Sequence, residues 1–142
     1  MRSVLDTTVM TAALRGNRGT ANRLSAAGLQ RRYLLLISVP LMLEYEAVLT
    51  RPEHLDAAGL TREEAGVLLD AVAATGEPAG RHLSWRPQVK VTDPDDDMVL
   101  ETAANGRADG IATFNLRDLA APARRFGLFA ERPDACLRRL PT

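Results

Sequence analysis

Residues 33–49 read YLLLISVPLMLEYEAVL and combine two patterns that together predict the fold. Residues 33–39 are a nearly continuous apolar run, which is typical of a strand buried on both faces of a sheet. Pro40 suits the first turn of a helix, and apolar residues follow it at helical spacing. A buried strand that leads directly into a helix is the repeating unit of a parallel α/β sheet.

The same alternation of short apolar strands and helices continues on both sides of this segment. Further strands are predicted at residues 3–5, 110–113 and 126–129. Further helices are predicted at residues 9–14, 20–30, 61–72, 99–106 and 133–140. We therefore expect a single α/β domain over residues 1–142, with a small parallel sheet between two helical layers in a three-layer α/β/α arrangement.

Two local signals add detail to this pattern. Thr61 and Glu64 have the spacing of a capping box, in which each side chain accepts a hydrogen bond from the other residue's backbone amide. Trp85 and Val89 lie in a segment of mixed character and are predicted to pack inward.

The composition is that of a soluble globular protein. Its 18 basic and 18 acidic residues leave no net charge that would draw the whole molecule to a membrane or to nucleic acid. Cys136 is the only cysteine, so we expect no internal disulfide and a cytoplasmic location. The apolar run at residues 33–43 is too short to span a bilayer, and Asp6 interrupts the place where a signal peptide would be apolar.

Arginine supplies almost all of the positive charge, since Lys90 is the only lysine among the 18 basic residues. Arginine binds phosphate through paired hydrogen bonds, which favours nucleic acid as a partner. A GC-rich coding bias explains the same composition and also the abundant alanine. Because the net charge is zero, any affinity for nucleic acid must come from a local group of arginines.

Acidic and amide side chains follow the predicted strands in four separate segments. Asp6 ends the first strand, and Glu44 lies one turn into the helix after the second. Residues 93–97 (DPDDD) precede a later helix, and residues 113–118 (TFNLRD) follow the strand at 110–113. Because the carboxyl ends of parallel strands meet at one edge of the sheet, we expect these side chains to converge there.

Each acidic segment has a structural alternative when it is taken alone. Asp6 and Asp118 suit helix caps, Glu44 suits a solvated helix position, and residues 95–97 complement a helix dipole. Three adjacent carboxylates repel one another, however, unless a cation lies near them. The convergence of four segments favours a shared acidic site.

An acidic site of this kind suits a hard cation such as Mg²⁺ or Mn²⁺. These ions take oxygen ligands, leave positions for phosphate oxygens, and can activate water against a phosphodiester. His54 and His82, the only histidines, are predicted to lie away from this edge, so general-base work would fall to a carboxylate or to water. Met98, Phe114 and Trp85 are predicted to belong to the core.

Taken in order, the four segments resemble a PIN domain. They are residues 4–9 (VLDTTV), 37–49 (ISVPLMLEYEAVL), 93–103 (DPDDDMVLETA) and 109–119 (DGIATFNLRDL). The resemblance runs from about Ser3 to Leu140, and in particular to the prokaryotic branch that includes VapC-type toxins. It implies a Mg²⁺- or Mn²⁺-dependent endoribonuclease that cleaves RNA, is often a homodimer, and is often paired with an antitoxin protein that blocks its active site.

The resemblance implies which acids hold the metal. The first three acids of the family pattern fall on Asp6, Glu44 and Asp96, as catalytic and metal-binding residues. Asp96 is preferred to Asp95 and Asp97 because the apolar residues that follow it match the buried helix face of the family pattern.

The fourth acid of the family pattern is where this sequence departs from it. Asn115 stands at that position, and Asp118, three residues further on, is the candidate for the fourth catalytic acid. Asparagine carries no charge, which implies weak binding of a second ion. Thr8 and Thr113, together with Asn115, are expected to orient the carboxylates or water around the metal.

Substrate binding is expected from arginines near the acidic edge. The candidates are Arg15 and Arg18, after the first strand, and Arg117 in the fourth segment. One alternative from another functional class stays open: a degenerate, non-catalytic PIN-like module that binds a protein, silenced at Asn115. Metal affinity distinguishes the two, because a pure protein-binding module has no need to hold a cation.

Overall fold

The structure, a computed structural model, describes residues 1–16, 18–79 and 94–141, and of residues 94–97 it describes the backbone only. Five strands alternate with helices along this part of the chain. The strands are β1 Arg2–Leu5, β2 Leu34–Ile37, β3 Glu77–Pro78, β4 Gly110–Ala112 and β5 Phe129–Glu131. The helices are α1 Thr7–Arg15, α2 Thr20–Leu29, α3 Val39–Leu49, α4 Pro52–Ala58, α5 Arg62–Thr75, α6 Pro94–Asn105, α7 Leu116–Arg125 and α8 Pro133–Arg138.

The five strands form one parallel sheet in the order β3-β2-β1-β4-β5. Central strand β1 pairs with β2, where Ser3 lies beside Leu35, and with β4, where Ser3 lies beside Gly110. Right-handed crossovers place α1–α5 on one face of this sheet and α6–α7 on the other, and the contacts of α1 with α2 and α3 and of α6 with α7 agree. The predicted α/β fold with a parallel sheet is therefore confirmed.

Apolar side chains explain why the central strands form and where they lie. Leu35 and Leu36 in β2 and all three residues of β4 are buried, as expected for strands covered by helices on both faces. At the start of α5, the Thr61 hydroxyl accepts from the Glu64 amide at 3.2 Å, and the Glu64 carboxylate accepts from the Thr61 amide at 3.0 Å. The predicted capping box is thus present.

Helix α8 packs back against α2 and carries the only cysteine. The Cys136 side chain is fully buried, and burial raises the pKa of its thiol to about 12. Nearby, the buried Tyr33 hydroxyl donates to the carbonyl of Leu24 at 2.9 Å, and burial raises the pKa of Tyr33 above its ordinary value. Tyr33 and Cys136 are therefore both protonated and uncharged in this part of the core.

The last strand lies further along the chain than the prediction at residues 126–129. Phe126 and Gly127 instead close α7, and Gly127 takes the left-handed conformation with φ of 70° that glycine favours at such an end. The strand β5 starts only at Phe129.

Two elements, β3 and α4, are absent from the sequence prediction. Strand β3 is two exposed residues at the edge of the sheet, Glu77 and Pro78, so it has no apolar pattern to detect. Helix α4 buries none of its residues completely, so it also lacks a clear apolar face. Trp85, Val89 and His82 lie outside the described residues. No helix in the described ranges is long and apolar enough to cross a membrane.

Candidate active site

The candidate site lies where the order of the strands reverses. The chain moves outward from β1 to β2 and β3, and then crosses to the opposite side of β1 to form β4. In sheets of this type, ligands bind at the carboxyl ends of the two strands that flank such a point. Asp6 directly follows β1 and Thr113 directly follows β4, and the Asp6 amide donates to the carbonyl of Ala112 at 2.9 Å.

A cleft of about 520 Å³ opens at this point between α1, α3 and the loop that connects β4 to α7. Its lining includes the side chains of Asp6, Thr8, Glu44, Arg51, His54 and Asn115. The structure therefore brings Asp6 and Glu44 to one cleft, together with Thr8 and Asn115 from the predicted set.

The Asp6 carboxylate is held in place by hydrogen bonds at both of its oxygens. Asp6 is only 2% exposed, so the charge of its carboxylate has little contact with water and needs hydrogen-bond donors from the protein. The Thr7 amide donates to Oδ1 at 2.8 Å. The hydroxyls of Thr8 and Thr113 each donate to Oδ2 at 2.7 Å. A carboxylate with this many donors keeps one orientation, which is what an ion ligand requires.

The two threonines also tie the β4–α7 loop to Asp6. The Phe114 amide donates to the Thr8 hydroxyl at 3.2 Å, and the Asn115 amide donates to the Thr113 hydroxyl at 2.8 Å. Each threonine therefore accepts from the loop and donates to the carboxylate. The loop and the strand-end aspartate form one hydrogen-bonded unit.

A tyrosine on α3 connects Glu44 to the same unit. Tyr45 is fully buried, and its hydroxyl donates to the carbonyl of Leu5, the residue before Asp6. Burial raises the pKa of Tyr45 well above its ordinary value, and the nearby Asp6 charge raises it further. Because Tyr45 fixes α3 against the end of β1, the half-buried Glu44 beside it is held at the cleft.

Asn115 and Asp118 interact with each other at the edge of the cleft. The Asn115 side-chain amide donates to Oδ2 of Asp118 at 3.2 Å. Asn115 lines the cleft, whereas Asp118, in the first turn of α7, does not. At the fourth position of the family pattern, the side chain that faces the cleft is therefore the amide of Asn115, and the Asp118 carboxylate is hydrogen-bonded to it.

The backbone of α6 brings Asp96 toward this edge of the sheet. The Thr102 hydroxyl lies 2.8 Å from the hydroxyl of Ser38, which follows the carboxyl end of β2. Asp96 lies six residues earlier in the same helix, about 9 Å further along its axis. Its side chain is outside the described part of the structure.

The oxygen-rich lining fits a hard divalent cation. Asp6 and Glu44 supply carboxylates and Asn115 an amide oxygen, the ligand types that Mg²⁺ and Mn²⁺ prefer. Among side chains that the structure describes, no three His, Cys, Asp or Glu residues are grouped closely enough to hold an ion. A third carboxylate would have to come from outside that set, and Asp96 is the candidate.

Two predictions about the surroundings of the site are wrong. His54 lines the cleft, because α4 folds back onto α1, whereas the sequence reading placed it away from this edge. Phe114 is 36% exposed and lines the cleft instead of joining the core, and the Arg132 guanidinium lies 5.2 Å from its ring centre.

The arginines around the cleft also differ from the predicted set. Arg15 reaches the cleft through His54, with its Nη2 atom 2.6 Å from Nδ1 of the ring. Arg18 and Arg117 are exposed and do not line the cleft, but Arg51 does. Pro52 after Arg51 is a helix-start signal that could have predicted α4, but it does not predict that α4 packs against α1.

A second cavity of about 550 Å³ lies between α3, α5 and α6. Its lining is largely apolar, with Met42, Leu43, Leu69 and Met98 among the side chains. No strand-end aspartate faces it among the described residues. Glu46, Asp70 and Glu101 also line this cavity, but none of them directly follows a strand.

Comparison with protein families places most of the chain in one of them. A family model described as PIN domain matches residues 2–117, from the start of β1 into the first turn of α7. Neither the curated proteins nor the solved structures yielded a match to the chain.

Proposed function

Because this chain belongs to the PIN-domain family, whose members are generally nucleases that use divalent metal ions, we propose that it is a Mg²⁺- or Mn²⁺-dependent endoribonuclease of the cytoplasm. One observation carries the proposal. Asp6, buried at the strand-order reversal, accepts four hydrogen bonds from three threonines and shares a cleft with Glu44 and Asn115.

In this proposal Asp6, Glu44 and Asp96 hold the ion, and Asn115 or Asp118 occupies the fourth position. When bound, the ion supplies charge neutralisation for the phosphodiester and makes water more acidic. Thr8 and Thr113 hold the Asp6 carboxylate in one orientation through Oδ2. Because Asn115 brings no charge, the fourth position contributes less to ion affinity than a carboxylate would.

The test is cleavage of a labelled single-stranded RNA pool by the purified protein in Mn²⁺. We expect cleavage that EDTA abolishes and that Asp6→Asn or Asp96→Asn reduces at least 100-fold, because each removes a charged ligand. Asp70→Asn, an exposed aspartate on α5 outside the cleft, is the matched control and should retain activity.

Metal binding gives a second readout that is independent of cleavage. Mn²⁺ should raise the melting temperature of the wild-type protein and of Asp70→Asn, and should do so less for Asp6→Asn. Metal-independent cleavage, or full activity in Asp6→Asn, would contradict the proposed mechanism.

The proposal extends to the biological role that the VapC-type resemblance implies. The protein would act as the toxin of a toxin–antitoxin pair, as a homodimer, with an antitoxin protein covering its cleft. Expression in growing bacteria should then stop growth, and Asp6→Asn should not.

A non-catalytic protein-binding module is the second candidate. It is favoured by Asn115, whose side-chain amide donates to Asp118 where a nuclease of this family often has another carboxylate. This candidate predicts neither cleavage nor stabilisation by Mn²⁺. Stabilisation by Mn²⁺ without cleavage would instead indicate a nuclease with a narrow RNA requirement.

A further inference from the structure

A histidine and an arginine are fixed against each other at the cleft. Arg15 Nη2 lies 2.6 Å from Nδ1 of His54. A guanidinium has only donors, so Nδ1 must accept the hydrogen bond and the ring proton must sit on Nε2. Arg15 therefore holds His54, which lines the cleft, in a tautomer whose remaining polar atom is an N–H donor.

Arg51 adds a positive charge beside this pair. It lies between α3 and α4, is exposed, and lines the same cleft. Three arginines elsewhere on the surface are already in ion pairs: Arg2 with Glu77, Arg138 with Asp134 and Arg139 with Glu131. Within the ranges 1–16, 18–79 and 98–141, Arg51 makes no such ion pair, so its charge is available to a ligand.

These donors are separated from the acidic part of the cleft. Arg51 follows Glu44 by seven residues, and a helix of that length advances about 10 Å. The cleft thus has carboxylates toward the ends of β1 and β4, and cationic and N–H donors toward α4. An anion bound by Arg51 and His54 would therefore be distinct from a group held at Asp6.

We infer that Arg51 and His54, with His54 positioned by Arg15, bind a backbone phosphate of the RNA on the α4 side of the cleft. The identity of the ligand rests on the proposed nuclease function, whereas the donor arrangement rests on the contacts above. Arg51 supplies the charge, His54 supplies a directed N–H, and Arg15 acts through His54.

The competing explanation is structural. The Arg15–His54 contact joins α1 to α4 and could serve stability alone. A phosphate-binding role predicts a change in RNA affinity and in its salt dependence, and a structural role predicts a change in unfolding only. The two roles are therefore separable by experiment.

The first experiment measures binding of a labelled single-stranded RNA to the full chain in EDTA, across a series of salt concentrations. Arg51→Ala should weaken binding about tenfold and lower the slope of log affinity against log salt by about 0.7, the loss of one phosphate contact. Arg62→Ala, an exposed arginine on α5 that does not line the cleft, is the matched control and should match wild type. Equal effects of Arg51→Ala and Arg62→Ala would overturn the inference.

The second experiment separates the N–H donor from the packing of the ring. His54→Gln keeps a side-chain N–H and should retain most of the RNA affinity, whereas His54→Ala should weaken binding about fivefold. Arg15→Ala should resemble His54→Ala in affinity. Loss of stability without any loss of affinity in His54→Ala and Arg15→Ala would assign the pair to structure and overturn their part of the inference.

Cleavage kinetics distinguish this inference from the proposed function. In Mn²⁺, Arg51→Ala should raise KM and leave kcat near wild type, because the contact is remote from the acids. Normal cleavage with unchanged KM in Arg51→Ala would overturn the inference while the nuclease function stands. Absence of cleavage in wild type, together with RNA binding that Arg51→Ala weakens, would support the inference and overturn the nuclease function.

Discussion

At the scale of single residues, the site depends on how one carboxylate oxygen is hydrogen-bonded. Oδ2 of Asp6 accepts from both Thr8 and Thr113, but these two threonines differ in exposure. Thr113 is fully buried, whereas Thr8 is exposed, so water can replace only the hydroxyl of Thr8. The two hydroxyls therefore have unequal importance despite equal bond lengths.

Replacing Thr113 by valine tests this difference. Thr113→Val keeps the shape but removes the acceptor of the Asn115 backbone amide and one of the two hydroxyl donors to the buried Oδ2 of Asp6, so we expect a loss of about 2 kcal/mol in the free energy of unfolding. Thr8→Val should cost less than about 1 kcal/mol. Urea unfolding of both variants measures the difference, and equal losses would show that burial does not decide it.

Residues that follow strands could be located from the sequence, and residues that meet across helices could not. Asp6 and Thr113 converge because parallel strands end at a common edge, a rule that needs no tertiary contacts. His54 reaches the cleft only because α4 packs against α1, which the local sequence does not encode. Phe114 has a core-like side chain, but its place in the loop after Thr113 exposes it.

At the scale of elements, α5 shows how far a local motif determines a helix. Its capping box was predictable because both partners lie within one turn and satisfy each other's backbone amides. Strand β3 forms for the opposite reason: it exists because it pairs with the edge of β2, where Glu77 lies beside Leu36 and the Ala79 amide donates to the Ile37 carbonyl at 2.7 Å. Short edge elements of this kind leave no periodic signal in a sequence.

Removing the cap of α5 should affect stability without affecting the site. Thr61→Ala leaves the Glu64 amide without its side-chain acceptor, so we expect a loss of about 1 kcal/mol in the free energy of unfolding. RNA cleavage per folded molecule should be unchanged, because α5 contributes nothing to the lining of the cleft. Thermal unfolding tests the expected loss of stability, and a cleavage assay on the same preparation tests the expected unchanged activity. Reduced cleavage at a temperature where the variant is fully folded would show that α5 is coupled to the site.

At the scale of the whole molecule, three buried groups keep their protons in the folded state. Burial raises the pKa of Tyr33, Tyr45 and Cys136 above the ordinary values of 10.0 for tyrosine and 9.0 for cysteine. Unfolding exposes the groups and lets them ionise at those ordinary values. The unfolded chain therefore binds fewer protons than the folded one in alkaline solution, and unfolding becomes more favourable as the pH rises.

We expect the stabilisation to be complete below pH 9.0 and to decline above it, first through Cys136 and then, above pH 10.0, through the tyrosines as well. Each group adds a slope of up to about 1.4 kcal/mol per pH unit. Urea unfolding at pH 8, about 9.5 and about 10.5 measures this decline. Cys136→Ala should remove the decline in the free energy of unfolding that starts near pH 9.0. A free energy of unfolding that is constant over this pH range would contradict the prediction.

The packing of α8 against α2 makes it possible to measure how often α8 detaches. Cys136 lies beyond residues 2–117, on a six-residue helix, and its thiol is both shielded and protonated. A thiol reagent such as Ellman's can react with it only when α8 lifts from α2, and since no other cysteine competes, each reaction event records one such opening. The rate at which colour develops in a native sample therefore measures how often α8 opens. A modification rate faster than global unfolding would show that α8 opens by itself, and an equal rate would show that it opens only when the whole molecule unfolds.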